Sequence, residues 1–398
     1  MIKKALLETI YDAASMQRWN DKVRPVDLRE LDKQAHKMII AYVIGKEEER
    51  ENEVDWCEII EGGIFEFLQR LILTDLKPQI FNEIKKDRGK YKRLNEWVFK
   101  NLEEIVLPLE KGFYDRLREY FVSDKESRSK KILNAAHFYA TKWEFGIVEQ
   151  ANPGGYEVPQ IRQRLEQEVE KHYDLPGLKQ LVLSSGLRNF VNLCGQLRFQ
   201  LRWSHINMTP RTSVLGHMLI VAMLAYLSSL EIDACERRRI NNYFTGLFHD
   251  LPEVLTRDII SPVKRAIEGL EGMIKQYEKK QMEKEVYPLL PEDWHSQMKM
   301  FTENEFKTII FVNGKTEEVP GEKMQGSYNK DKFNPRDGEL VKAIDDLAAF
   351  MEAYLSRKNG IKNVNLEDAE KGLRAKYQKP GIRISGIDFA AIYADFEK

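Results

Sequence analysis

The chain has 398 residues, 42% of them hydrophobic and 31% charged, with a formal net charge of -1. That composition describes a globular protein with ample core, excludes a disordered or fibrous chain, and leaves no overall basic footprint for nucleic acid. Three isolated cysteines, Cys57, Cys194 and Cys235, read as small buried residues in a reducing cytoplasm, not as a disulfide framework or a zinc knuckle.

The opening MIKKALLETIYDAASM reaches Glu8 and Asp12 before an apolar stretch of signal-peptide length forms. The longest apolar run, 218–227, is short for a bilayer, so the expectation is a cytoplasmic protein with neither export nor a membrane anchor. Residues 3–19 carry Leu6, Leu7, Ile10, Ala13 and Ala14 at helical spacing and end in Arg18-Trp19. LRELDKQAHKMIIAYVIG follows, with Gly45 as its predicted stop, then DWCEIIEGGIFEFLQRLIL up to Pro78. A polar, basic stretch at 85–93 reads as an exposed loop, and helices are predicted over 94–122 and 129–150 before the break ANPGGYEVP.

The second half repeats these landmarks in order. Arg18-Trp19 answers Arg202-Trp203, His36 answers His217, Gly63-Ile64-Phe65 answers Gly246-Leu247-Phe248, and Asp75 answers Asp258. NAAHFYATKWEF, with His137, answers KAIDDLAAFMEA, with Asp345, and Tyr173, Pro176 and Gly177 answer Tyr377, Pro380 and Gly381. The offset grows from 184 at the tryptophans (203 − 19) to 204 at the tyrosines (377 − 173), which gives the second copy about twenty extra residues. The reading is all-α, a tandem duplication with domains 1–184 and 185–398. The extra residues fall in an insertion at 265–338, where FKTIIFVNGKTEEV changes period around Asn313-Gly314, a two-residue hairpin signal.

The two copies differ in chemistry. The stretch 246–264, GLFHDLPEVLTRDIISPVK, holds the doublet His249-Asp250, with Glu253 four residues beyond His249 and so on the same predicted helical face. With His217 upstream and Asp345 downstream, the chain shows the order His, His-Asp, Asp over three predicted helices, all residue types that ligate a divalent cation. The first copy has Glu66-Phe67 and Arg70 where the second has the doublet and Glu253, so no metal is expected there. Glu253 is also spaced to pair with Arg257 at i+4.

The run RW, RTSVLGH, HDLPEVLTRDIISPVK and LVKAIDDLAAF resembles the HD-domain metal-dependent phosphohydrolases, and within them looks most like the bacterial 5′-deoxynucleotidases. The resemblance covers roughly the second half. It implies one divalent transition metal (Mn, Co, Fe, Ni or Zn) held by His217, His249, Asp250 and Asp345, with Glu253 positioning a water and handling its proton. It also implies that Arg202 orients the phosphate, Trp203 packs near sugar or base, Asp258 crowds a ribose 2′-hydroxyl, and Ser261 and Lys264 add polar contacts. Gly216, Pro252 and Arg257 depart from the family pattern, as does the hairpin. The expected substrate is a nucleoside 5′-monophosphate, with deoxynucleotides favoured. The alternatives are a nucleotide- or metal-sensing protein without turnover, and a hydrolase of a non-nucleotide monoester. Partners are expected to be small molecules, with no nucleic acid and no membrane, on a monomer built as an intramolecular pseudo-dimer or on a homodimer.

Overall fold

The computed structural model describes every residue except 75, 124, 258–266, 268, 313, 380 and 398. Among the described residues the chain is helical apart from two small two-stranded ribbons, in agreement with the all-α reading. The helices that position the site are Glu30–Glu48 (α1), Trp56–Leu73 (α2), Arg128–Ala151 (α3), Val214–Glu231 (α4), Glu236–Phe248 (α5), Glu253–Thr256 (α6), Gly338–Lys358 (α7) and Val364–Tyr377 (α8).

Helix α4 has no polar stripe, and each of its residues from Val214 to Leu230 is buried. It is 18 residues long and apolar enough to cross a membrane, yet 94% of it is buried inside the protein. Hydrophobicity on all sides is what a central core helix requires. It packs against α1, α5 and α7, and one apolar cluster runs from Ile2 to Phe396 through both halves of the chain.

Two glycines permit the closest crossings. A Cβ at Gly246 would lie 2.7 Å from the backbone N and Cα of Ala222, so α5 meets α4 backbone to backbone. That contact sets the end of α5, three residues on, beside the first turns of α4. At Gly216 a Cβ would lie 2.8 Å from Leu31 Cδ2 and 3.0 Å from Asp32 Oδ1, so a larger residue would collide with α1.

Each half also carries a hook with one backbone pattern. Gln17 bridges Arg29, and Leu201 bridges Ser213. The Arg18 N–H donates to Leu28 O (2.7 Å) and the Arg202 N–H to Thr212 O (3.0 Å). Trp19 and Trp203 share a left-handed backbone, with φ of 55° and 54°. In this register Lys33, not His36, stands where His217 stands, a correction to the expected pairing. Matching histidine to histidine put the two helices about one turn out of step.

Other boundaries shift as well. The exposed-loop segment 85–93 is helical, lying in helices Pro78–Lys86 and Arg88–Val106, because Asp87 caps the second by accepting from the Lys90 N–H. Helix α1 runs through Gly45 to Glu48, and Gly45 instead makes room for the Trp56 ring.

In the insertion, strands Ile309–Val312 (β1) and Lys315–Glu318 (β2) pair antiparallel, with Val312 opposite Lys315 and Gly314 at φ 76°. The hairpin buries Ile310 with Val319 and Met324 in a small cluster of its own. Before it, the loop 303–308 is clamped by buried Arg336, which donates to the carbonyls of Met300, Asn304 (2.6 Å) and Lys307 (2.9 Å).

Gly246→Ala should destabilise the protein by about 1–3 kcal/mol in urea unfolding. Gly272→Ala, on a helix with nothing within 4 Å of its Cβ, should be neutral or slightly stabilising. Equal midpoints for the two variants would contradict the close crossing.

Candidate metal centre

Three elements converge at the end of α5. His217 lies on the first turn of α4, whose N-cap Ser213 accepts from the Gly216 N–H (2.9 Å). His249 is the C-cap of α5, and Asp345 projects from α7. One ligand atom from each of His217, His249 and Asp345 lies within 4.8 Å of the others, a group that can hold a divalent cation. His217 Nε2 is 3.0 Å from Asp345 Oδ1, and His249 Nε2 is 3.9 Å from the same oxygen. Asp250 lies alongside, its Oδ2 3.2 Å from His249 Nε2, 3.8 Å from His217 Nε2 and 3.6 Å from Arg202 Nη1.

The orientation of both imidazoles suits a cation. His249 Nδ1–H donates to Gly246 O (2.8 Å), which leaves the Nε2 lone pair facing the carboxylates. That Nε2 is buried without a hydrogen-bond partner, since its contact with Asp250 lacks hydrogen-bond geometry. His217 Nδ1 and Glu352 Oε1 face each other at 3.6 Å, both buried and both unsatisfied. A cation on the two Nε2 atoms would satisfy the first orphan and free the His217 Nδ1 proton for Glu352. The residues present therefore fit a divalent metal.

The charges agree. Burial opposes a protonated His249, but Asp250 and Asp345 outweigh it and push the imidazole up to about 9. Burial also opposes the charge on Asp345, yet Lys342 and His217 hold its carboxyl well below the usual range. Asp250 is lowered against burial by His249 first and then by His217 and Arg202. The site thus holds positive charge in place, which a dication would supply without a proton.

Glu352 is the residue that sequence reasoning missed. It is fully enclosed and lies two turns after Asp345 on α7. Its Oε2 accepts from Arg202 Nε (3.1 Å) and Trp203 Nε1 (2.8 Å), and its Oε1 faces His217. Burial raises its pKa, and Arg202, His217 and Trp203 together bring it below the ordinary value. The signal was present: KAIDDLAAFMEA and NAAHFYATKWEF share an acid at the same place, Glu352 and Glu144.

Glu253 does not share a helix with the doublet. Pro252 has no N–H to continue α5, so the chain turns through 249–252 and restarts as α6, with the Glu253 N–H donating to Asp250 O (3.0 Å). Its side chain is buried beside that turn. Arg257 ends α6 at φ 66°. Asp258, Ser261 and Lys264, as well as Asp75 and Pro380 of the repeat, lie outside the described residues.

In the first half the corresponding place holds Lys33, whose Nζ lies 2.6 Å from His137 Nδ1. Arg18 and Trp19 donate to Glu144 as Arg202 and Trp203 do to Glu352. Glu66 is taken by Lys37 (2.6 Å) and Tyr120 (2.7 Å), and Phe67 is in the core. His36 donates from Nε2 to Val191 O (3.0 Å), with its pKa pulled to about 3 by burial and then by Arg198.

A family profile described as HD domain matches residues 194–373. No curated protein matches the chain.

Two outcomes follow. Because its folded pKa is raised, metal-free His249 contributes stability that is full below about 6.5 and is lost as pH rises through about 9. The Tm of chelated protein should therefore fall over that window more than that of His249→Asn, and equal slopes would contradict it. Glu352→Ala should weaken metal binding about 10–100-fold by calorimetry, whereas unchanged affinity would remove Glu352 from the support of His217.

Proposed function

Taking residues 194–373 as an HD domain, we propose that this protein is a metal-dependent phosphohydrolase acting on nucleoside 5′-monophosphates, with deoxynucleotides the favoured class. The observation that carries the reading is the convergence of His217, His249 and Asp345 within 4.8 Å, inside the matched segment. A divalent cation bound there supplies charge neutralisation for phosphoryl oxygens and lowers the pKa of water.

The chain's own residues do the rest. Arg202, braced through Nε by Glu352, turns its planar guanidinium to the phosphate. Glu253, buried next to the Asp250 turn, takes the proton of the attacking water and returns it to the leaving alkoxide. Trp203, which packs beside Ile206 and Met208, borders the sugar or base. Asp258 crowds the ribose 2′ position, and Ser261 and Lys264 add polar contacts. These last three roles rest on the sequence resemblance.

We further infer that the halves are tandem copies packed as an intramolecular pseudo-dimer. The matched hooks, the paired tryptophan conformations and the Glu144 and Glu352 contacts support this. In the first copy, Lys33 occupies the position of His217, and the half serves structure or regulation in a cytoplasmic protein.

Metal-stripped protein reloaded with Mn or Co should release phosphate from a panel of deoxynucleoside and ribonucleoside monophosphates. Glu253→Ala should lower that rate about 100-fold or more while retaining the metal. Metal-replete wild type that binds nucleotides without releasing phosphate would overturn the enzyme reading in favour of a sensor.

A further inference from the structure

Beside the metal ligands lies a second set of charges that the reaction above does not use. Lys342, one turn before Asp345 on α7, places Nζ 2.8 Å from Asp345 Oδ2 and 2.9 Å from Asp346 Oδ1. Asp346 is served twice over, since its Oδ2 also accepts from Lys376 Nζ (2.6 Å) and from Tyr377 OH (2.7 Å) on α8. The Phe306 ring lies over Lys342, 4.7 Å from Nζ to the ring centre, and 6.1 Å from the His249 ring. Phe306 sits on the loop that Arg336 clamps, so the insertion approaches the site through this ring.

A count of charges shows what this arrangement lacks. Two lysines, Lys342 and Lys376, face two carboxylates, Asp345 and Asp346, and balance them. A dication shared by His217, His249, Asp250 and Asp345 takes over the charge of Asp345. Lys342 and Lys376 then share Asp346 alone, so this group of three side chains carries one positive charge in excess beside the metal. Lys342 is the one of the two that bonds the ligand carboxylate itself, and its side chain is 38% exposed on a flexible stem. A like-charged dication nearby also weakens its hold on Asp345.

We propose that Lys342 is a substrate contact: on metal loading it leaves Asp345 and donates to a non-bridging oxygen of the phosphate group, with Phe306 limiting where its ammonium can go. The ligand class is a phosphate monoester dianion, whose second charge meets this lysine after the first is met by the metal. This rests on the phosphohydrolase reading for its substrate, but not for its test.

The test is inorganic phosphate binding to Mn-loaded protein by calorimetry. Lys342→Met should weaken phosphate about 10-fold or more, Lys342→Arg should stay within about 3-fold of wild type, and Mn affinity should be equal or tighter in both. Unchanged phosphate affinity in Lys342→Met, or no phosphate binding to wild type, would overturn the proposal. A loss of Mn affinity in Lys342→Met would also overturn it, because Lys342 would then hold the ligand carboxylate in place. Turnover of wild type is read separately: phosphate binding that depends on Lys342 without any turnover would overturn the enzyme reading and leave this contact standing.

Discussion

The buried carboxylate of Glu352 is the constraint on which the site depends. It has no exposure; it is hydrogen-bonded to the hook through Arg202 and Trp203, and its other oxygen faces His217 of α4 at 3.6 Å. A charge in that position is tolerable only with partners, since an unpaired buried carboxylate costs several kcal/mol. The hook, α4 and α7 are therefore held together by the cost of separating them. Asp345, two turns earlier on the same face of α7, is carried to the imidazoles by that anchoring.

The first half repeats the anchor and changes what it supports. Glu144 holds Arg18 and Trp19 in the same way, and it also binds Arg198, four residues before Arg202. Ser213, which caps the helix bearing His217, donates to Asp32 of the first half. The two hooks are thus cross-braced through buried polar groups as well as through the shared core. Lys33 and His137 are each held well below their ordinary pKa values, by burial first, with Glu30 acting the other way on both.

Much of this was legible in the sequence because it depended on local pattern. The helices followed from apolar spacing, the hairpin from Asn313-Gly314, and the ligand trio from residue type and order. What was not legible depended on contacts between distant segments. The offset of 184 at the tryptophans pairs His217 with Lys33 (217 − 184), but matching like residues put His36, about one turn on, in its place; the hydrogen bonds of the hook decided it. Pro252 was recognised as a departure, but whether it kinks or ends the helix depended on how the chain could turn at 249–252. Glu352 escaped notice because an acid on a helix is usually solvated, and only burial against Arg202 gives it a role.

The central claim is that one cation is held between α4, the end of α5 and α7. Anomalous diffraction from crystals grown with manganese measures this directly. The account predicts one peak per chain, bonded to His217, His249 and Asp345 with Asp250 adjacent, and none between Lys33 and His137. A peak elsewhere, or none at this site under saturating manganese, would contradict it.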